Sequence, residues 1–172
     1  DGNLVERPLF RDSLFQIGSF FTREGDYKKS LQYYDKAIHR RQDPSCTSKD
    51  DVCFGNILRA KGTVHQLINE IDSALSSFED CLRIYRAKSS KGDDDIIIAD
   101  VLSRLGHIHA AQNDDEKAWL YGNEALVILK KKGENVDDIL SLCEMLGPIA
   151  VQRQELVQAK AFFNEAINIR II

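Results

Sequence analysis

The stretch LSRLGHIHAAQNDDEKAWLYGNEA, residues 102–125, decides the fold. Leu102 stands four residues before Gly106, and Ala118, Gly122 and Ala125 follow that glycine by twelve, sixteen and nineteen. The same spacing returns around Gly18, Gly62 and Gly147, so that the four glycines are separated by 44, 44 and 41 residues. Four before each glycine lie Leu14, Leu58, Leu102 and Cys143. Twelve after each lies a small residue, Ser30, Ala74, Ala118 or Ala159, and nineteen after another, Ala37, Cys81, Ala125 or Ala166. Sixteen after each come Tyr34, Phe78, Gly122 and Phe163, aromatic in three windows of the four. Columns kept in register across four windows are an internal repeat.

A helical hairpin explains the columns. The glycine and first small residue let two antiparallel helices, A and B, approach closely, and the second small residue lets the next hairpin pack on top. The aromatic is expected to fill the gap between layers. One hairpin cannot bury its own apolar stripe, so stacking stabilises the set. Polar turns separate A from B at Arg23-Glu24-Gly25-Asp26, Ile68-Asn69-Glu70, Gln112-Asn113-Asp114-Asp115 and Arg153-Gln154-Glu155. Helices are expected near 9–23, 27–41, 51–67, 72–87, 95–111, 115–131, 138–152 and 156–170. An acid followed by an aliphatic opens each later A helix (Asp51-Val52, Asp95-Ile96, Asp138-Ile139), where a carboxylate suits the free N–H groups. Asp93-Asp94-Asp95 reads as the same capping feature, because it lacks the alternating ligands of a calcium loop.

Composition agrees with this reading and excludes several classes. The 172 residues are 43% hydrophobic and 29% charged, ordinary for a globular chain, and only 10 glycines and 3 prolines leave few turns for an all-β fold. The longest aliphatic run, Ala125–Leu129, is far too short for a membrane span, and no secretory leader opens the chain. A start at Asp1 without Met and an end at Ile171-Ile172 suggest a processed chain or a cut from a longer one. Net charge is −4, with residues 1–90 at +1 and residues 91–172 at −5, so no nucleic-acid footprint is present. Cys46, Cys53, Cys81 and Cys143 form no CxxC pair. They read as free thiols of an intracellular, cytoplasmic protein and not as zinc ligands or disulfides.

The pattern resembles the tetratricopeptide repeat (TPR), carried by Leu105-Gly106, Leu146-Gly147, Ile17-Gly18, the small-residue columns and Gly25-Asp26-Tyr27. The long period is similar to that of kinesin light chain and related scaffolds. Lys61 departs from the pattern where a leucine belongs, as does Asp115 where the first repeat has Tyr27. The resemblance implies an all-α, right-handed α-solenoid of four TPR-like helical hairpins. Residues 1–8 are then a lead-in, and 9–172 one repeat domain with repeats near 9–44, 51–88, 95–132 and 138–172.

Helical angles separate the A-helix core side from an opposite stripe six before, three before, one after and four after each glycine. That stripe is Asp12, Phe15, Ser19 and Thr22; Asn56, Arg59, Thr63 and Gln66; Asp100, Ser103, His107 and Ala110; then Ser141, Glu144, Pro148 and Val151. The TPR resemblance implies that this side lines a concave groove where a peptide or helix of another protein binds. Arg59, flanked by Arg23 and Arg104, is suited to an acidic side chain or terminal carboxylate. TPR carboxylate clamps use asparagines and lysines here, whereas this chain has only Asn56 at the edge. The expected binding residues are Phe15, Ser19, Thr22, Arg23, Asn56, Arg59, Thr63, Gln66, Ser103, Arg104, His107 and Glu144.

No catalytic, cofactor or metal constellation accompanies this face, and no enzyme is expected. His65 and His109 share a core column and read as packing histidines, His107 points elsewhere, and His39 suits a helix C-terminus. Cys81 and Cys143 read as buried small hydrophobes. Trp119 is expected to fill the hole left at Gly122. Lys130-Lys131-Lys132 is a solvated helix tip, too short a run for nucleic acid. The expected function is a non-catalytic interaction scaffold, the alternative a structural subunit that binds through its edges or convex face. Pro148 is expected to kink or widen its helix near Glu144. The last helix carries Phe162, Phe163, Ile167 and Ile169 with nothing polar after them, so further repeats or self-association are expected at the C-terminal edge.

Overall fold

The computed structural model describes residues 6–39, 49–88, 95–133 and 136–171, with side chains for 12–39, 53–87, 95–133 and 136–171. Eight α-helices and no strand occur among the described residues: α1 (Glu6–Arg23), α2 (Tyr27–His39), α3 (Lys49–Leu67), α4 (Ile71–Lys88), α5 (Asp95–Ala111), α6 (Asp115–Lys132), α7 (Val136–Gln152) and α8 (Leu156–Ile171). Where both are described, expected and observed ends agree within three residues; α1 begins inside the expected lead-in. Residues 40 and 41 of the second expected helix lie outside the described residues, as do Cys46, Asp93 and Asp94.

The chain divides into two compact units, residues 1–88 and 89–172. In the first, α1 pairs with α2, α3 pairs with α4, and α3 also packs on α2. The second repeats this with α5 to α8.

The four A-to-B turns share one backbone solution. Gly25, Asn69, Asn113 and Gln154, each seven residues after its column glycine, take left-handed φ values of 78°, 61°, 59° and 61°. The next amide donates back across the turn: Asp26 to Phe21, Glu70 to His65, Asp114 to His109 and Glu155 to Ala150, at 2.8–3.0 Å. This is the Schellman closure of a helix C-terminus, which satisfies the last carbonyls. Asp26 and Asp114 then cap the following helices by accepting from the amides of Lys29 and Lys117 at 3.1 and 3.2 Å. These two caps serve B helices, while Asp95, Asp137 and Asp138 stand in the first turns of α5 and α7 and the residues just before α3, α5 and α7 lie outside the described residues. Asp138, expected to cap an A helix, lies inside α7, and burial and Asp100 raise its carboxyl pKa, which capping would lower.

The column aromatics have a second partner besides the next layer, which Tyr34 meets at Ile57, Ala60 and Val64 of α3. A β-carbon built on Gly18 would stand 2.5 Å from the Tyr34 ring, one on Gly62 2.7 Å from Phe78, and one on Gly147 2.6 Å from Phe163. Each ring therefore lies on the bare glycine of its own hairpin, and the glycine is a seat for a ring. The third hairpin has glycine in both columns. There the Met145 methyl occupies the seat, at 3.3 Å from a β-carbon built on Gly106 and 2.6 Å from one on Gly122. Trp119 does not fill this hole. It packs edge-to-face on Phe162 at 6.0 Å, beneath the Arg153 guanidinium at 5.1 Å. That guanidinium is held in turn by Glu116 and Glu155.

Two sequence anomalies find reasons here. Lys61 replaces a leucine because it pairs with Asp35 on α2 at 2.6 Å. Pro148 does not interrupt α7, which remains α-helical from Val136 to Gln152, without local widening. Pro148 is exposed, where the Glu144 carbonyl it deprives of a donor can reach water. Among the described residues, no helix is long and apolar enough to cross a membrane.

Candidate partner-binding face

In the first unit α1 and α3 bring six of the expected residues around one open depression of about 300 Å³. Phe15, Ser19, Thr22 and Arg23 line it from α1, and Arg59 and Thr63 from α3, with Ala60 and Tyr34 completing the wall. Ring seating explains the presence of Tyr34: lying on Gly18, its phenol reaches past α1 to Ser19 at 3.3 Å and Thr22 at 3.2 Å. Phe15 lies against it with ring centroids 5.8 Å apart. Thr22 also meets the buried Ser30 at 2.7 Å. The sequence reading missed Tyr34 and Ala60. The signal for Tyr34 was available, because it alone among the column aromatics carries a hydroxyl.

The chemistry of the wall is mixed in a definite way. The Thr22 and Thr63 hydroxyls donate to the carbonyls of Gly18 and Arg59, both at 3.1 Å. Their protons are spent on the helices, as is usual for helical threonine. What remains is apolar and aromatic surface beside Arg23 and the half-buried Arg59, which is itself engaged within the protein. Arg23 is exposed and forms no ion pair among the described residues. This arrangement suits an apolar side chain that lies next to a carboxylate.

The other expected residues are placed differently. Asn56 accepts a hydrogen bond from the Tyr85 hydroxyl at 3.0 Å and so braces α3 against α4. Gln66 is half-buried, at the far end of α3. In the second unit Ser103 is buried, Arg104 donates to Asp100 at 2.9 Å, and exposed Glu144 pairs with Arg170. His107 Nε2 meets Ser141 Oγ at 3.0 Å, joining α5 to α7 along the expected stripe. Burial lowers the His107 pKa, partly countered by Asp138. Arg104, His107 and Glu144 are thus each engaged with another side chain of the second unit.

His65 and His109 are core residues, as their column implies. His65 bonds Glu70 at 2.7 Å; His109 lies 3.4 Å from Asp114 and stacks on Tyr121. No metal-binding cluster occurs among the described residues. Cys81 and Cys143 are buried, and burial beside Glu165 pushes the Cys143 thiol up from 9.0 to about 11. That shift cuts its thiolate fraction about a hundredfold at neutral pH. Alkylation at pH 8 followed by mass mapping is expected to modify half-buried Cys53 before Cys81 and Cys143, which react only on unfolding. Equal rates would contradict this packing.

Helical hairpins with seated rings and Schellman turns define a helical-repeat protein. The Tetratricopeptide repeat family model matches residues 13–47, which supports a TPR-type repeat there. Among solved structures, BtubC (BKLC) from P. vanneervenii is similar with a TM-score of 0.79 and 16% identity, over 96% of this chain and 65% of that one. Aspartyl phosphate phosphatase F from Bacillus subtilis gives 0.76 and 11%, over 96% and 41%. The chain thus spans 65% and 41% of these relatives' lengths, and at such identities the likeness is one of fold. No curated protein matches.

Proposed function

We propose that the protein is a non-catalytic interaction scaffold that holds a peptide segment of a partner protein on its A-helix face. The anchor is the depression between α1 and α3, and the anchoring residues of the peptide are an apolar side chain and an adjacent carboxylate. One observation supports this above others: the Phe15 and Tyr34 rings and the Arg23 and Arg59 guanidiniums converge on one concavity. The TPR class supports a protein partner.

The test is to capture partners from the native source, map the bound segment as a peptide, and titrate it against wild type and Arg23→Glu/Arg59→Glu. Each charge-assisted contact contributes about 1.5–3 kcal/mol, so the double variant is expected to bind at least tenfold more weakly at unchanged helicity. Unchanged affinity would remove the groove reading and leave the edges or convex face as the binding surface.

A further inference from the structure

The repeat separates polar contacts that the fold requires from those it does not. On α5 the residue one after the column glycine is His107, and on α7 the residue six before it is Ser141. Their side chains meet across the two helices, His107 Nε2 to Ser141 Oγ at 3.0 Å, and both are half-buried. In the first unit the same two places hold Ser19 and Asn56, which turn instead to Tyr34 and Tyr85 on the B helices. α3 has Thr63 where α5 has His107, and its hydroxyl bonds its own helix. A bond between A helices at this place is therefore particular to the second unit. So is the presence there of a side chain that titrates near neutral pH.

The charges around the imidazole come from its own helix and from α7. On α5, Asp100 and Arg104 bond each other at 2.9 Å. From α7, Asp138 faces His107 and is, among the described residues, the charge that acts on it; none from α6 does. The Asp138 carboxyl is itself raised, by burial first and Asp100 next, with Asp137 adding and Arg104 and His107 opposing. Burial outweighs the attraction of Asp138 and holds the His107 pKa below its ordinary 6.5. A protonated imidazole donates from both ring nitrogens, so its Nε2 loses the ability to accept from Ser141. The added charge is also kept from water unless α5 and α7 part.

We propose that His107 and Ser141 form a proton-sensitive latch, which holds α5 to α7 on the A-helix face of the second unit at neutral pH and loosens in mild acid. Folded His107 holds a proton less well than the unfolded chain does, so its contribution to stability is lost as pH falls below 6.5 toward the folded value. Asp138 works in the opposite sense, adding stability as pH falls through its raised value toward 3.8. The latch belongs to the second unit and stands or falls independently of peptide binding in the depression between α1 and α3.

Urea denaturation of the 172-residue chain at pH 7.5 and pH 5.5, with the His107 ring titrated by NMR, tests this. An imidazole that stays largely neutral when folded lowers the folding equilibrium constant by up to about tenfold between these pH values. His107→Thr puts the α3 residue at this place, so it is expected to fold and to lose that share of the acid effect. The shares of His39, His65 and His109 remain in both proteins. The wild-type ring is expected to titrate below 6.5, and Asp138→Asn to lower the midpoint further, because a carboxylate that favours the charged ring is gone. Hydrogen-exchange protection of α7, corrected for intrinsic rates, is expected to fall at pH 5.5 in the wild type and to be the same at both pH values in His107→Thr. Equal acid losses in wild type and His107→Thr overturn the proposal, as does a ring midpoint at or above 6.5 or one that Asp138→Asn raises. So does wild-type α7 protection that is unchanged by pH.

Discussion

Replacing Gly122 by phenylalanine is expected to cost about 3 kcal/mol of folding stability, and adding Met145→Ala to recover about half of that loss. Even a bare β-carbon at Gly122 would stand 2.6 Å from the Met145 methyl and 2.9 Å from Leu146, so a ring has nowhere to go while Met145 is present. A β-carbon on Gly106 would also meet the Gly122 amide nitrogen at 3.3 Å and the Ala118 carbonyl at 3.5 Å, so α5 and α6 approach here backbone to backbone, and removing Met145 recovers only part of the loss. Elsewhere the exchange has already been made: in the first unit α2 supplies the Tyr34 ring, and α3 has only Ala60 at the position of Met145. Gly122→Phe with Met145→Ala brings the third hairpin towards the Tyr34–Ala60 arrangement, with Leu146, where α3 has Lys61, still against the ring. Met145→Ala alone leaves a void at the paired glycines and is destabilising in its own right. The measurement is a double-mutant cycle by urea denaturation, with an expected coupling of about 1–3 kcal/mol in favour of the double variant. Strictly additive losses would mean that ring and methyl do not share one seat.

Phe78→Ala is expected to be the more damaging truncation, at about 3–5 kcal/mol. The ring is fully buried and rests on Gly62, so its removal leaves a cavity that the rigid hairpin cannot collapse. Phe163 makes the equivalent contact with Gly147 but has an exposed flank, and Phe163→Ala is expected to cost less than half as much. Denaturant midpoints, read with a helix signal, compare the two. Because repeat hairpins can unfold separately, the shape of the transition also carries information. A Phe163→Ala loss confined to an early, partial step would place the weakness in the last hairpin. Equal losses would show that ring seating, and not burial, sets the energy.

Several features of this protein were legible in the chain itself. The spacing of Gly18, Gly62, Gly106 and Gly147, with the small residues behind them, determined four helical hairpins and placed their turns, because close helix approach demands small residues at fixed helical intervals. The same periodicity marked Phe15, Ser19, Thr22, Arg59 and Thr63 as one face before any coordinate was known. Periodicity assigns a residue to a face but not to a neighbour, and there the sequence reading stopped. It put the aromatic column between layers, as Tyr34 stands against α3, but did not name the glycine of its own hairpin on which the ring also lies. It gave the Gly122 hole to nearby Trp119, whereas Met145 from the next helix reaches it. It set aspartates at the starts of the A helices, where Asp95 and Asp138 stand in the first turns, but did not name Asp26 and Asp114 as caps of B helices. It also expected Pro148 to disturb α7. Each of these outcomes depends on distances between side chains far apart in sequence, and on which of two competing groups occupies a space first. Tertiary packing alone decides that, and it is the same packing that carries the Tyr34 phenol across Gly18 into the depression beside Arg59.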